Sequence, residues 1–417
     1  QGDVGSGKTI VAATTALIAA RNDCQSAFMA PTEILARQHY KTFIKFFPEF
    51  EAGAALLTGS ESKCFYGKNL GESSLAKDSL REEIKKGVIK IVIGTHALIQ
   101  KEVKFHNLGF VVVDEQHRFG VKQRAELSTE NSQLKTVPHF LSMSATPIPR
   151  TLSLTVFGDL DLSIIDELPK DRKPIITKVV APANRDKAYE FIREQVGEGR
   201  QVFVICPRIE PETETPKSMR FLELKSVKEE FEKLSAKIFP DLRVAMLHGK
   251  LKPKEKEEVM RNFAEKKTDL LVATSVVEVG VDIPNATIMM IEGSECFGLA
   301  QLYQFRGRVG RGEHQSYCLL FTDSSSKATH QRLKSIVEAK NGLELAEKDL
   351  KIRGPGEFLG EHQTGMPDIA MKALKNPDLV KSSREAAIQI MSEDRELKSY
   401  PLLRARLALF QKSVHLE

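Results

Sequence analysis

The first nine residues, Gln1-Gly2-Asp3-Val4-Gly5-Ser6-Gly7-Lys8-Thr9, decide how the first half of the chain folds. They match G-x-x-x-x-G-K-[ST], a loop whose glycines let backbone N–H groups turn inward toward phosphate oxygens. Lys8 adds a point charge for the terminal phosphates, and the hydroxyl of Thr9 can ligate Mg²⁺. The alternative is a glycine-rich turn that matches by chance, and motifs further along argue against it. We therefore predict a phosphate-binding loop whose remaining members are Gly2, Gly5, Ser6 and Gly7.

The surroundings of this loop fit the same interpretation. A helix predicted over residues 9–20 would direct its positive N-terminal end at the same anion. A hydrophobic strand should precede such a loop, and here no residue does. We therefore expect the chain to be a piece of a longer protein, with that strand and any base-recognition residues lying upstream.

The composition is that of an ordinary globular protein, with 417 residues, 41% of them hydrophobic and 28% charged. This length predicts two or three domains. No run approaches the ~18 apolar residues of a membrane helix, and no signal peptide is expected, although the expected missing N-terminus weakens this second point. The five cysteines lack CxxC spacing, which indicates reduced thiols in a cytoplasmic protein rather than a metal or disulfide framework. The net charge of +5 is compatible with nucleic acid and weak as an argument for it.

Short apolar runs alternate with amphipathic helices, which predicts an α/β fold with two tandem parallel-sheet domains. Strands of the first domain (residues 1–160) are predicted at 27–29, 54–57, 89–93, 110–113 and 140–142, with helices at 33–46 and 79–86. A Pro-rich, charged stretch over 159–174 predicts an exposed linker, assigned to residues 161–174. Strands of the second domain (175–325) are predicted at 175–180, 201–205, 243–247, 270–273, 288–291 and 317–321. Residues 326–417 are predicted to be a helical appendage, with helices at 331–340 and 343–351 and a Gly/Pro loop at 353–365.

Two acids follow an apolar run in the first domain, Asp114 and Glu115 after Val111-Val112-Val113. Functional groups collect at the carboxyl ends of parallel strands, so Asp114 would hold Mg²⁺ opposite Thr9. Glu115 would polarise the water that attacks a γ-phosphate. A solvated acidic turn is the alternative. Gln116 and His117 are placed at the edge of the nucleotide, although His117 could equally be a packed loop histidine.

Hydroxyl residues follow other predicted strands, at Thr32, Thr95, Ser144 and Thr146. Hydroxyls at strand ends and helix N-termini suit contacts to the phosphates of a nucleic-acid backbone. Ser144 and Thr146 could also bond to the acidic site and transmit its state. The alternatives are a helix cap at Thr32 and an ordinary turn at Gly94.

The second domain carries an arginine-rich motif, Gln304-Phe305-Arg306-Gly307-Arg308-Val309-Gly310-Arg311. Phosphoryl transfer needs positive charge at the transition state, and an arginine from across a cleft contributes ~10³–10⁵ in rate. Arg308 and Arg311 are one helical turn apart, so both can face such a cleft. The alternative is a solvated basic helix end.

These motifs together resemble those of superfamily 2 helicases, whose pattern continues at residues 30–38, 58–59, 247–249 and 272–284. The resemblance implies two RecA-like domains, ATP and Mg²⁺ in the cleft between them, and Gln304 at the nucleotide. It also implies that Thr274 contacts DNA and that Gly280 and Asp282 link ATP to DNA.

The match is closer to the RecG family of bacterial branched-DNA helicases. It is carried by residues 114–121, 145–152 and 158–161, and by 350–360 with 363–365, which look like that family's translocation motif. The resemblance implies that Arg353 and Gln363 couple hydrolysis to movement on double-stranded DNA, in reversing stalled forks and migrating Holliday junctions. It further implies a monomer at the bacterial nucleoid, with single-strand-binding protein as a partner.

The chain departs from that family in three places. The N-terminal wedge domain is expected to lie outside the given residues, which puts branch specificity and unwinding by this piece in question. The motif that reads adenine is expected to lie outside them too, and residue 362 is His where Arg or Lys is expected. Other interpretations are a duplex translocase like Mfd, an RNA helicase, and a non-hydrolysing ATP-gated DNA clamp. RNA helicases of the superfamily usually lack the appendage with Arg353 and Gln363, and the intact Glu115 and arginines argue against the clamp.

Overall fold

The computed structural model describes residues 1–100, 102–115, 137–145, 161–167, 169, 172–207, 227–248, 251–274, 283–358 and 377–413. They group into two compact units. The first unit comprises Gln1–Pro147 with Ile164–Glu338 and contains both sheets, and the second comprises Ile148–Ser163 with Ala339–Glu417.

The first sheet has seven strands in the order β4-β3-β2-β5-β1-β6-β7, parallel except at β3, which runs antiparallel to β2 and β4. The strands are β1 Gln25–Met29, β2 Ala54–Leu57, β3 Ser62–Phe65, β4 Glu72–Ser74, β5 Ile91–Gly94, β6 Leu108–Asp114 and β7 His139–Met143. The helices are α1 Lys8–Arg21, α2 Glu33–Phe46, α3 Gly67–Leu70 and α4 Lys77–Lys85, and His96–Ile99 forms a 3₁₀ turn.

Helices cover both faces of this sheet. Alternate residues of the central strands point to opposite faces, as at Phe28 against α1 and α2 and Met29 against α4. The central strand β5 is buried on both faces and is a continuous apolar run, whereas β1 is buried throughout although it begins with Gln25 and Ser26. The helix that follows the phosphate-binding loop buries small residues, Ala12 and Ala16 among them.

The second sheet is parallel throughout, in the order β10-β11-β9-β12-β13-β8. Its strands are β8 Ile176–Val180, β9 Gln201–Ile205, β10 Val244–Leu247, β11 Leu270–Ala273, β12 Ala286–Ile291 and β13 Tyr317–Phe321. Its helices are α5 Arg185–Gly197, α6 Val227–Glu232, α7 Pro253–Ala264, α8 Leu299–Arg306 and α9 Lys327–Glu338. Pro182–Asn184 and Ser294–Cys296 are 3₁₀ turns, and α6 continues as a π-helical segment at Lys233–Ile238.

A buried glutamine begins the central strand of each sheet and plays the same part in both. Gln25 Nε2 donates to two backbone carbonyls at 2.8 Å each, and Gln201 Nε2 donates to two at 2.7 Å each. In each sheet, one accepting carbonyl belongs to a neighbouring helix and the other lies just before the next strand. The helix carbonyl also accepts a backbone N–H in each case, from Gly87 at 3.0 Å and from Lys266 at 3.1 Å, so each amide ties the end of a helix to the start of a neighbouring strand.

The second unit contains three helices among its described residues, α10 Gly342–Phe358, α11 Pro377–Glu393 and α12 Pro401–Ser413. Asn341 caps the first of them, because its Oδ1 accepts the N–H of Glu344 at 2.9 Å. The Glu344 carboxylate accepts the N–H of Lys340 at 3.0 Å in return. Arg384 of α11 forms an ion pair with Asp161 at 3.6 Å.

The predicted fold class is confirmed, and every predicted strand overlaps an observed one. Three expectations are corrected. The antiparallel strands β3 and β4 were not predicted, because they are short and partly exposed at the sheet edge. The linker is not wholly exposed, since Ile165 bridges to Gly2 and Arg172 is half-buried. The predicted loop at Gly354-Pro355-Gly356 is helical, because α10 continues to Phe358. The preference of glycine and proline against helix interiors is overridden here.

Candidate nucleotide site

The phosphate-binding loop lies between the first residue and α1. Gly5 and Gly7 have φ of 78° and 99°, a left-handed conformation that disfavours side chains. Lys8 Nζ donates to the carbonyls of Gly2 at 2.6 Å and Asp3 at 2.8 Å, which folds the loop around its own lysine. No side chain caps the start of α1. The first-turn N–H groups of α1 can therefore serve an anion.

Ser6 lies within the same loop, and its side chain is buried. Among the described residues, no atom forms a hydrogen bond with Ser6 Oγ. A buried hydroxyl without a protein partner is costly unless something else completes it. A phosphate oxygen in the loop would be a suitable acceptor.

The predicted acids lie where β6 ends. Asp114 is buried, and its Oδ1 accepts the N–H of Glu115 at 3.0 Å. Glu115 has φ of 52°, which is uncommon for a residue with a side chain and is frequent at functional sites. On its other side, Asp114 Oδ2 lies 2.8 Å from Nε2 of His39 on α2, which is also buried. The sequence analysis missed His39, whose only signal was a histidine on the apolar face of α2.

The electrostatics of Lys8 connect three parts of the chain. Burial lowers the pKa of Lys8, whereas Asp114, Glu115 and Asp3 raise it and Arg308 lowers it again. The charged groups that act on the Lys8 ammonium thus come from the phosphate-binding loop, from the end of β6 and from the arginine-rich motif.

The arginine-rich motif packs directly on the phosphate-binding loop. A side chain at Gly307 would come within 2.8 Å of Val4 Cβ, which shows how closely the two loops approach. Tyr303 donates from its hydroxyl to Asp3 Oδ2 at 2.7 Å. Arg308 is buried and Arg311 is half-buried.

Two other members of the motif are buried in α8. Gln304 is one of them. Arg306 is the other, and it has a structural contact that the sequence analysis did not assign. Its guanidinium donates to the carbonyl of Ile336 at 2.7 Å and lies 4.4 Å from the centre of the Tyr303 ring, which anchors α8 to α9.

The predicted hydroxyl residues have different environments. Thr32 caps α2, and its hydroxyl accepts the N–H of Leu35 at 3.3 Å. This is the helix cap that was the alternative to a phosphate contact. Thr95 and Thr274 are buried. The carbonyl of Ser144 accepts the N–H of Gly2 at 3.4 Å, which joins the end of β7 to the phosphate-binding loop.

Several predicted residues have no described side chain. Arg353 lies within α10. The others lie outside the described residues, and they are Gln116, His117, Thr146, Gly280, Asp282 and Gln363.

Thr9 and Asp114 are the residues that would hold a metal ion. Asp114 offers a buried carboxylate beside a phosphate-binding loop, and Thr9 offers a hydroxyl at the start of α1. Oxygen donors of this kind, one carboxylate together with substrate phosphates, are what Mg²⁺ prefers. The donor set therefore fits Mg²⁺.

Three family models match successive parts of the chain. Residues 1–155 match the DEAD/DEAH box helicase model, and residues 184–313 match the helicase conserved C-terminal domain. Residues 339–414 match domain 3, C-terminal, of the ATP-dependent DNA helicase RecG. Together with the two sheets, these matches give the chain the domain organisation of superfamily 2 helicases.

The more specific assignment comes from individual relatives. The chain is 48% identical over 98% of its length to the ATP-dependent DNA helicase RecG of Synechocystis sp., and 43% identical over 98% to that of Bacillus subtilis. A structure of RecG bound to a three-way DNA junction superposes with a TM-score of 0.70 at 39% identity, covering 91% of this chain and 46% of that one. The chain belongs to the RecG family. It spans 46% of the Synechocystis relative and 57% of the Bacillus one.

Proposed function

We propose that this chain is an ATP-hydrolysing motor that moves on double-stranded DNA and remodels branched DNA in recombination and repair. The observation that carries the proposal is the packing of the arginine-rich motif on the phosphate-binding loop, where the Tyr303 hydroxyl donates to Asp3 Oδ2 at 2.7 Å. A lysine, two acids and an arginine from the second sheet domain form the set that phosphoryl transfer requires. Its RecG relatives are ATP-dependent DNA helicases, which supports DNA as the substrate.

Each residue of the site has a role in this proposal. The loop from Gly2 to Thr9 binds the phosphates, and Lys8 neutralises their charge. Asp114 and Thr9 would hold Mg²⁺, which would neutralise charge on phosphate oxygens as a Lewis acid. Glu115 accepts a proton from the attacking water, and Arg308 and Arg311 stabilise the transition-state charge.

A second group of residues, most of them at the ends of strands, would connect the nucleotide site to DNA. Thr95 and Thr274 are buried, so we assign them to coupling the site to the DNA surface rather than to direct contact. Thr32 orders α2, and Ser144 connects β7 to the phosphate-binding loop. Thr146, Gly280, Asp282, Arg353 and Gln363 keep the coupling roles that the family resemblance implies. Gln116, His117 and Gln304 keep their place at the nucleotide.

The branched substrate follows from the solved relative, which is bound to a three-way DNA junction. We propose the same class of DNA for the protein to which this chain corresponds, acting as a monomer in the bacterial cytoplasm at the nucleoid, with single-strand-binding protein as a partner. The domain limits 1–160, 161–174, 175–325 and 326–417 are part of this proposal. Within the described residues, no helix is long and apolar enough to cross a bilayer.

The test is ATP hydrolysis measured with forked, linear duplex and single-stranded DNA. We expect duplex or forked DNA to stimulate hydrolysis more than single strands do, and Lys8→Ala to abolish the stimulated rate. Binding of ATP and DNA without turnover would favour an ATP-gated clamp. Stimulation by RNA alone would contradict the proposal.

A further inference from the structure

Arg172 lies in the segment that joins the two sheet domains, and its guanidinium reaches both loops of the nucleotide site. Nη1 donates to the carbonyl of Val4 in the phosphate-binding loop. Nε donates to the carbonyl of Gly310 at 2.9 Å, and Nη2 is 3.3 Å from the carbonyls of Gly307 and Val309. One side chain therefore connects the phosphate-binding loop to the loop that carries Arg308 and Arg311.

The chemistry of these contacts suits a fixed connection. Among the described residues, every hydrogen bond of the Arg172 guanidinium goes to a backbone carbonyl. Three of these carbonyls follow the last residue of α8, where carbonyl groups lack helical partners and the helix dipole is negative. A planar guanidinium with donors in a rigid fork holds several such acceptors in one geometry, which a flexible ammonium cannot do.

The backbone around Arg172 leaves little freedom of movement. A side chain at Gly5 would come within 2.8 Å of Nη1, so the phosphate-binding loop lies directly against the guanidinium. The N–H of Arg172 donates to the carbonyl of Pro169 at 3.0 Å, which closes a turn in the linker. Two residues beyond Arg172, the carbonyl of Pro174 accepts Gln315 Nε2 at 2.7 Å. The linker is thus held on both sides of Arg172.

The space beside this contact belongs to the same site. A cavity of about 330 Å³ is bordered by the linker and by both loops; its lining includes Pro169, Arg172, Gly5, Gly310 and Arg311. Burial lowers the pKa of Arg172, and the neighbouring Arg311 lowers it further. Two guanidinium groups, those of Arg172 and Arg311, thus line this cavity together with Glu313.

We propose that Arg172 is a positioning residue for ATP hydrolysis. By holding the carbonyls of Val4, Gly307, Val309 and Gly310 together, it fixes the loop of Arg308 and Arg311 against the phosphate-binding loop. The arginines then reach the transferred phosphoryl group in the correct geometry. This inference rests on the proposed function, since it assigns Arg172 to the same reaction.

The kinetic test compares Arg172→Ala and Arg172→Lys with Arg193→Ala. Arg193 is a matched control, because it is an exposed arginine outside the nucleotide site. Its guanidinium forms an ion pair with Asp241, with an N–O distance of 2.7 Å. Misplacing catalytic groups by about 1 Å costs ~10²-fold in rate, so we expect Arg172→Ala to lower kcat by about 10- to 100-fold. KM and the affinity for a non-hydrolysable ATP analogue should change by less than about threefold, and Arg172→Lys should recover part of the rate. A raised KM with unchanged kcat would overturn the proposal and make Arg172 a nucleotide contact.

A double-mutant cycle separates positioning from a merely structural role. If Arg172 acts through the loop that carries Arg311, then Arg172→Ala should cost much less in the Arg311→Ala background than in the parent chain. Losses that add in full would mean that the two residues act independently, and the proposal would be wrong. Thermal midpoints of all variants are measured alongside, and an additive kinetic loss with a fall of many degrees would indicate a structural tether.

A readout that needs no hydrolysis separates this inference from the proposed function. Amide hydrogen exchange in the nucleotide-free chain should become faster in residues 2–8 and in 307–311 together when Arg172 is replaced by Ala, and in neither segment with Arg193→Ala. If the parent chain has no DNA-stimulated ATPase, the proposed function fails and exchange alone decides whether Arg172 joins the loops. Unchanged exchange in both segments would overturn the inference.

Discussion

His39 Nε2 lies 2.8 Å from Asp114 Oδ2, and both side chains are buried. The histidine comes from α2, 75 residues before the acid in the chain. Partners of this kind orient a metal-binding carboxylate, and their loss costs ~10- to 100-fold in metal affinity or activity. We therefore expect His39→Ala to raise the Mg²⁺ concentration needed for half-maximal ATPase activity by about 10-fold or more.

The measurement is a Mg²⁺ titration of the ATPase rate at saturating ATP. His139→Ala is the matched control, because His139 is exposed at the start of β7. A His39→Ala protein with the Mg²⁺ dependence of the parent would show that this pair orders α2 and does not tune the metal site.

Lys8 leads to a prediction about pH. Burial lowers its pKa below the ordinary value of 10.5, although the neighbouring acids oppose the shift. Between the lowered pKa and 10.5, the unfolded chain retains a proton that the folded chain has lost, so the stability of the nucleotide-free protein rises with pH in that window. ATP affinity should fall in the same window, because the ammonium loses its charge.

Binding of a non-hydrolysable ATP analogue from pH 7 to 10 checks this prediction. Lys8→Met should bind weakly, and without the part of the pH dependence that belongs to this lysine. A parent protein whose affinity is flat up to pH 10 would place the lysine pKa near its ordinary value.

Glu115→Gln should preserve ATP binding and stop hydrolysis, because the amide keeps the size of the side chain and cannot accept a proton. General-base catalysis contributes ~10²–10⁴ in rate, and we expect a loss in this range in single-turnover experiments. Because Glu115 has positive φ, Glu115→Gly provides a second comparison that relieves the backbone and also removes the base. Near-normal turnover in either variant would refute the assignment.

Arg308→Ala and Arg311→Ala should slow hydrolysis more than they weaken ATP affinity, since the charge that they stabilise develops in the transition state. For whichever arginine contacts the γ-phosphate, we expect about 3 kcal/mol on the barrier, roughly 10²-fold in kcat. Steady-state kinetics with duplex DNA measure both parameters. If both substitutions change only KM, these arginines bind ATP in the ground state and do not stabilise the transition state.

Gln201 leads to a prediction about stability that is independent of function. Replacing it with Leu removes the amide donor from the carbonyl of Thr268, whereas the carbonyl of Phe263 keeps the N–H of Lys266, and a buried acceptor left without a donor costs ~1–3 kcal/mol. We expect a clear fall in the thermal midpoint, whereas Gln331→Leu on the exposed face of α9 should leave it nearly unchanged. Equal midpoints for the two variants would contradict the structural role of the amide.

The parts of the fold that sequence predicts best are those that short stretches of chain determine. The helix at residues 33–46 has the predicted bounds, because Thr32 caps it and an apolar stripe including Leu35 and Phe43 runs along it. Buried strands such as β2 and β11 are also recovered, since each is a continuous apolar run. The edge strands β3 and β4 have no such pattern.

The parts that sequence misses depend on contacts between distant residues. Nothing in the neighbourhood of His39 indicates that an acid at the end of β6 will lie beside it. Arg172 was assigned to an exposed linker, because its partners are main-chain carbonyls that no residue type reveals. The helical conformation at Pro355 likewise contradicts the local preference that the sequence analysis relied on.

The connection made by Arg172 has a consequence for how this protein can vary over generations. Its acceptors are main-chain oxygens, which every amino acid possesses. Exchange of the side chain at Val4 or Val309 therefore leaves the acceptors in place. Inherited change that loosens or retunes this contact between the two sheet domains is expected at position 172 itself, or at Gly5, where any side chain would come within 2.8 Å of Nη1.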